Sequence, residues 1–371
     1  MGVDYAIAFS IASFFTPAGL CATADTGTLP PQSEKERKAA GPDIESASIC
    51  SQPASDKSYD YSIKPGNHKR KLKMPGGKRS YVVHVPKSYA ARKKPVPVVF
   101  VLHGGLGNAW SAEWDSQMST RAEKDNFLAV YPQGTGRTNE HFLTWNAGDC
   151  CGIAMRHKVD DITFLRALIY KLSNDFNVDR SRIYVAGISN GGMMAYRAAL
   201  EMSDMIAAIA PVEGCMMSKP QLTSDRPVSV IAFHGTADKT VPYNGGDGGI
   251  PGYKLVATKV DDNIKYWVER NGCSPEPSRE VSKSLTKEFY KDGKDGTAVC
   301  LYTVKDGLHS WPGGRSTTLW INLPATCVSA TDAMCEFFWE HPKLANDDCM
   351  ISLSKNACSQ TNGTPSARNT K

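Results

Sequence analysis

The sequence predicts a single α/β domain built on a mostly parallel central sheet flanked by helices. Apolar, strand-like runs alternate along the chain with segments whose apolar residues recur at helical spacing. Some of the strand runs, such as Val96-Pro97-Val98-Val99-Phe100-Val101-Leu102, are apolar at every position, as strands covered on both faces are. The third observation is Ile183-Tyr184-Val185-Ala186-Gly187-Ile188-Ser189-Asn190-Gly191, an apolar strand that passes through Gly-x-Ser-x-Gly into an amphipathic helix. A turn of that kind is so tight that it holds its serine in a strained backbone with Oγ pushed out at the sheet edge.

The chain has 371 residues and a net charge of +5, without the strong clustered basic excess of a nucleic-acid binder. Residues 1–24 read as a signal peptide: a short apolar run, Ala6–Phe15, precedes Ala22-Thr23-Ala24, a small-residue cleavage pattern. No Lys or Arg precedes that run, and Asp4 is acidic. The run is too short to span a membrane, and no other segment is long and apolar enough to do so. Removal of the signal leaves ten of the eleven cysteines, an even number that, with secretion, favours disulfides. No Cys-x-x-Cys pair suggests zinc, and neither a metal nor another cofactor is expected. Short separations allow Cys273–Cys300, Cys327–Cys335 and Cys349–Cys358, with the connectivity open.

Residues 25–62 are rich in Ser, Pro, Ala, Lys and Glu and read as a flexible leader; the folded domain is expected over 63–342. Residues 67–74 and 79–85 flank Pro75-Gly76-Gly77 as a hairpin, and His68-Lys69-Arg70-Lys71 reads as the charged face of an edge strand. After the strand at 96–102 come His103-Gly104-Gly105, a helix over 112–125 and a strand over 127–132. The long segment 133–159, containing Trp145 and Cys150-Cys151, reads as a functional loop. A helix over 160–176 precedes the serine turn, and strands follow over 205–211 and 228–233. Residues 254–271 read as a helix, 299–304 as a strand and 332–340 as a last helix. Residues 343–371 read as a loose tail carrying the glycosylation sequon Asn362-Gly363-Thr364.

A serine at such a turn needs a base, an acid and an oxyanion hole. In open parallel sheets functional groups gather at the carboxyl ends of strands. Asp238 follows the strand ending at His234-Gly235 and is the candidate acid, with Asp306 and Asp247 as rivals. The histidine comes last in the order Ser, Asp, His, and only His309 and His341 follow Asp238. His309 lies in a loop after a strand, whereas His341 lies at a helix end, so His309 is the candidate base. The backbone N–H of Asn190 is one expected oxyanion donor and that of Gly105 the other, with Leu106 as its alternative. His103 is expected to brace that loop. Trp145 and Trp311 are candidate substrate-binding rings, with Tyr243 and Trp110 weaker ones.

These residues resemble the secreted α/β-hydrolase esterases that group feruloyl and acetylxylan esterases with poly(3-hydroxybutyrate) depolymerases. The resemblance rests on Leu102-His103-Gly104-Gly105, Tyr131-Pro132-x-Gly134, Trp145-Asn146-Ala147-Gly148-x-Cys150-Cys151-Gly152, Val159-Asp160-Asp161, Gly187-x-Ser189-Asn190-Gly191-Gly192-Met193-Met194, His234-Gly235-Thr236-Ala237-Asp238 and His309-x-Trp311-Pro312-Gly313. It spans roughly residues 66–342 and departs from the family in a richer Thr317–Cys335 segment. It implies an α/β-hydrolase fold, Ser189 as nucleophile, Asp238 as acid, His309 as base and a Cys273–Cys300 disulfide. It also implies a secreted serine esterase acting on feruloyl or acetyl groups of plant cell-wall polysaccharide. The alternative within the class is a hydroxyalkanoate depolymerase or oligomer esterase; a serine peptidase and a non-catalytic binding protein are weaker readings. The expected partner is an ester substrate on a polysaccharide or polyester, with no nucleic acid and no obligate protein partner.

Overall fold

The computed structural model describes residues 59, 61–138, 140–217, 226–250, 253–316 and 322–344. The expected signal peptide, almost all of the leader, the tail beyond 344 and the Asn362 sequon lie outside the described residues, as do Cys50, Cys349 and Cys358.

The chain enters through a hairpin, β1 (Gly66–Met74) and β2 (Gly77–Val85), whose register closes Met74 opposite Gly77. Exposure alternates along β1, and the His68–Lys71 run lies on it at one edge of the sheet. After the short α1 (Tyr89–Arg92), β3 (Val96–Leu102) is buried at every position. Pro97 cannot donate to the sheet, and the pairing register shifts between Val96 and Val98. The expected single helix after β3 is two, α2 (Ala109–Ser116) and α3 (Met118–Asp125). Gln117 breaks them by adopting a left-handed backbone, φ 54°, with its N–H closing on Glu113 O. Then follow β4 (Leu128–Pro132), a short α4 (Gly152–Arg156) within the long loop, α5 (Asp161–Asp175), β5 (Val178–Ile188) and α6 (Asn190–Glu201).

The second half adds β6 (Ala208–Val212) and β7 (Ser229–Gly235), then a small hairpin, β8 (Gly246–Ile250) with β9 (Tyr253–Ala257). The helix expected from 254 therefore starts later, as α7 (Val260–Asn271), because the residues before it pair as a strand. Two antiparallel strands not expected from the sequence follow, β10 (Ser278–Val281) and β11 (Leu285–Tyr290). Their exposed or half-buried, charge-rich residues lack the apolar run that marks the central strands. The described chain closes with β12 (Val299–Val304) and α8 (Ala330–Glu340).

The ten-stranded sheet has the order β1-β2-β4-β3-β5-β6-β7-β12-β11-β10. From β4 to β12 every neighbouring pair is parallel, and the strands outside them pair antiparallel. The helices α5, α6 and α7 pack Leu168, Met194 and Trp267 on one face, while α2, α3 and α8 pack Ala112, Met118 and Phe338 on the other. From β3 the chain first builds outward to β4 and then returns to lay β5 on β3's other side. The crevice beyond the carboxyl ends of β3 and β5 is thus a topological switch point, where open α/β sheets bind ligands.

The two-faced core corrects the disulfide implied by the resemblance. Cys273 and Cys300 are both buried free thiols. Side chains alternate across a strand: Val299 and Leu301 pack on the α7 face with Cys273, and Cys300, between them, packs on the α8 face. The sheet stands between the two sulfurs. Cys327 and Cys335 are likewise free. A non-reducing peptide map after alkylation under denaturing conditions should therefore recover Cys273 and Cys300 as separate alkylated thiols. A peptide pair joined through them would contradict this packing.

Candidate active site

Ser189 sits between β5 and α6 with φ 56° and ψ −123°, a conformation that L-residues rarely adopt. It is held there from both sides, with its N–H donating to Val212 O at 2.8 Å and its carbonyl accepting Met193 N–H at 2.9 Å. The flanking glycines are required by close approach. A Cβ on Gly187 would lie 2.5 Å from the Gly191 carbonyl, and one on Gly191 would lie 2.6 Å from His103 O. The turn is thereby pressed against the end of β3.

That end of β3 carries the glycine loop. A Cβ on Gly105 would lie 3.7 Å from the Asn190 Cβ, so Gly105 and Asn190 face each other across the mouth of the turn. The first N–H groups of a helix have no partner within it, and Asn190 opens α6. The Leu106 N–H is already committed, donating to Leu143 O at 2.8 Å. Leu106 is thus unsuited to the donor role, and Gly105 is left as the candidate.

His103 braces this loop. Its Nδ1–H donates to Gly104 O at 2.8 Å, and its Nε2 accepts the Gly134 N–H at 3.0 Å. Full burial lowers its pKa to about 4, so the ring is neutral in the tautomer this pattern requires. Trp145 packs on that ring, with centroids 4.9 Å apart, and donates from Nε1 to His103 O at 3.0 Å. Asn190 clamps the Trp145 backbone, accepting its N–H at Oδ1 (2.7 Å) and donating from Nδ2 to its carbonyl (3.1 Å). Adjacent Cys150 and Cys151, in the same loop, are bonded to each other.

The acid and histidine come from neighbouring strands. The His309 Nδ1–H donates to Asp238 Oδ2 at 2.7 Å, and both residues are buried. Asp238 Oδ1 accepts the N–H groups of Thr240 (2.7 Å) and Val241 (3.0 Å). Burial pushes the Asp238 carboxyl up, but the imidazole beside it and these bonds prevail and hold it below its usual range. The rivals are placed elsewhere. Asp306 is exposed, with its N–H donating to Thr236 Oγ1; Asp247 lies on β8; His341 Nδ1–H donates to Phe337 O at 2.7 Å at the end of α8.

Both candidate substrate-binding tryptophans require correction. Trp145 is 0% exposed and Trp311 1%, and Trp311 donates its Nε1–H to Thr331 Oγ1 at 2.9 Å. Their rings brace the loops and offer no face to a substrate. Trp110, by contrast, is 60% exposed on α2, stacked on Trp114, whose ring also carries Arg315 at 4.6 Å. Tyr243 is half-buried and donates to Asp261 at 2.9 Å.

Two buried acids have places that the sequence reading did not assign: Asp161, present there only within a motif, and Glu213, not singled out at all. Asp161 accepts from Arg79 at 2.8 Å and from the Asn146 N–H at 2.8 Å, tying the tryptophan loop to α5. Its place beside the helix cap Asp160 disguises it as an ordinary first-turn acid. Glu213 lies at the carboxyl end of β6, 1% exposed. An acid directly after the apolar run Ala208–Val212 was the available signal. Glu213, His234 and Asp238 also form the one metal-ligand-like cluster among the described residues. Its atoms are engaged with protein partners: Gly235 N–H, Val241 O and His309.

A parallel sheet with a strained serine at its switch point and an acid-histidine pair two and three strands away defines the α/β-hydrolase fold. Residues 86–264 match the phospholipase/carboxylesterase family model. The chain is 30% identical over 243 residues to Feruloyl esterase B of Piromyces equi, covering 64% of this chain and 44% of that protein. It is 28% identical over 183 residues to the bifunctional acetylxylan esterase/xylanase XynS20E of Neocallimastix patriciarum, covering 48% of this chain and 24% of that protein. It is 26% identical over 267 residues to Feruloyl esterase C of Emericella nidulans, covering 70% of this chain and 83% of that protein. The matches thus span less than half the length of the first two relatives. The chain is thus similar, over its central part, to esterases of the α/β-hydrolase superfamily.

The neutral His103 gives a pH prediction. Its folded pKa, about 4, lies below the usual value near 6.5, so the unfolded chain binds the proton more tightly between those values. Its contribution is complete above about pH 6.5 and is lost as pH falls toward 4, by roughly 3 kcal/mol. Urea unfolding of His103→Asn should show a shallower fall in stability across that window than the wild type. Parallel curves would contradict a buried neutral imidazole.

Proposed function

We propose that this protein is a serine carboxylic-ester hydrolase in which Ser189 attacks, His309 is the general base and Asp238 orients the imidazole. The observation that carries this reading is the strained Ser189 backbone at the sheet's switch point, on the same carboxyl edge as the 2.7 Å His309–Asp238 bond. His309 takes the Ser189 proton at Nε2 as Oγ forms a bond to the ester carbonyl carbon. The charge that develops on the carbonyl oxygen is received by the Gly105 and Asn190 N–H groups; one such donor is worth ~2.7–4 kcal/mol in the transition state. Collapse expels the alcohol, which takes the proton from His309, and leaves an acyl-serine. Water, deprotonated by the same histidine, then releases the acid and restores Ser189.

The substrate we infer is a feruloyl or acetyl ester on plant cell-wall polysaccharide. The relatives' names, Feruloyl esterase and acetylxylan esterase, support it. So does the exposed Trp110–Trp114 stack on the helix after the Gly104–Gly107 loop, since a flat aromatic face packs against sugar or aryl rings. The expected signal peptide fits extracellular action on such a polymer.

Ser189→Ala should lower p-nitrophenyl acetate turnover by at least about a thousandfold, with an unchanged urea midpoint. Full turnover in that variant would end the proposal. In one assay series, methyl ferulate or acetylated xylan should be cleaved faster than a hydroxybutyrate trimer. Preference for the trimer would overturn the choice of substrate.

A further inference from the structure

The acid of the site has a second acid behind it that the reaction as described leaves unused. Glu213 follows β6 directly, in a left-handed backbone conformation with φ 46° that a non-glycine residue rarely adopts. Its N–H is fixed on Phe233 O at 2.9 Å. Both of its carboxyl oxygens lie 3.1 Å from the Gly235 N–H, so the side chain is aimed under the β7 end from which Asp238 departs. There a carboxyl oxygen of Glu213 and one of Asp238 lie within 4.8 Å of each other, both close to His234 Nε2, at 3.5 Å and 3.6 Å.

Two buried carboxyl groups this close do not both ionise readily, and the surroundings decide which holds the proton. Asp238 accepts from the His309 Nδ1–H and from two backbone N–H groups, all of which favour its charge. Among the described residues no Lys or Arg pairs with Glu213, and the basic group beside it is His234, whose Nε2 lies 3.5 Å from Oε2. The titratable groups around it are Asp238, His234, Cys215 and, beyond Asp238, His309. The His234 Nε2–H is spent on Val241 O at 2.8 Å, and burial keeps that ring neutral. Burial first, then the Asp238 charge, raises the Glu213 carboxyl well above its usual range.

We propose that Glu213 is a positioning residue: its carboxylic acid donates a hydrogen bond to Asp238 and so fixes the carboxylate that orients His309. The proposal rests on the assignment of Asp238 and His309 above. In this arrangement Glu213 holds its proton throughout turnover. It spreads the Asp238 charge, restrains that carboxylate from rotating away from Nδ1, and leaves the strained turn after β6 with a reason to carry glutamate.

The test compares Glu213→Leu, Glu213→Gln and Ser189→Ala with the wild type in p-nitrophenyl acetate kinetics from pH 4 to 9, with folding checked by circular dichroism. Glu213→Leu should lower kcat about tenfold with KM within about twofold, and move the acid limb of the kcat/KM profile upward as Asp238 loses a donor. Glu213→Gln keeps a neutral donor and should recover most of that loss with the acid limb of the wild type. A glutamine variant whose acid limb moves downward would show that Glu213 is ionised and would overturn the proposal. So would a folded leucine variant with wild-type kcat and profile. If the leucine variant does not fold, the glutamine variant's acid limb decides: unchanged supports the proposal, lowered overturns it. Activity retained in Ser189→Ala would instead defeat the underlying assignment, whatever the Glu213 variants do.

Discussion

The site depends on one steric constraint, the contact between the start of α6 and the end of β3. Gly191 lies against the Leu102 and His103 carbonyls, and Gly187 against Gly191, with no room for a methyl group at either position. This contact brings the glycine loop to the serine turn. It also forces Ser189 into its φ 56° conformation, because the chain has no other way to leave β5 and enter α6 within one residue. Strain of this kind costs on the order of 1–3 kcal/mol and persists only where surrounding structure over-determines it. Here the Val212 carbonyl, the first turn of α6 and the β3 backbone do so together.

Around that contact the polar groups form two braces. On the β3 side the hydrogen bonds run in a series: Asn190 fixes the Trp145 backbone, Trp145 the His103 carbonyl, and His103 the backbone of Gly104 and Gly134. Asp161 and Arg79 extend it outward to α5 and β2. On the β7 side, Asp238 is held by two backbone N–H groups and by His309, with Glu213 close beneath it. Nearly every member of both braces is buried, so their bonds are strong and their loss is costly. Geometry of this sort keeps a donor or an imidazole in place without movement during reaction.

The candidate triad is legible in the sequence because its roles are tied to strand ends. Ser189, Asp238 and His309 each follow an apolar run, and position relative to a strand is what sequence reports best. The tryptophans were misread because sequence shows a large ring but not which side of it meets water: Trp145 and Trp311 are core, and Trp110 is the exposed one. The disulfide implied by resemblance failed for a similar reason, since only the strand's alternation puts Cys273 and Cys300 on opposite faces. β10 and β11 lack apolar runs because they lie at the sheet's far side, β10 exposed at the edge and β11 half-buried beside it. Glu213 was hidden by its own ordinariness, an acid where a loop begins.

The proposed activity requires that the turn at the switch point present Ser189 as an activated nucleophile. It is tested most directly by labelling the folded protein with a fluorophosphonate and mapping the adduct by mass spectrometry. The expected result is a single adduct on Ser189, absent when the protein is unfolded in urea before labelling. An adduct on another residue, or none on the folded protein, would contradict it.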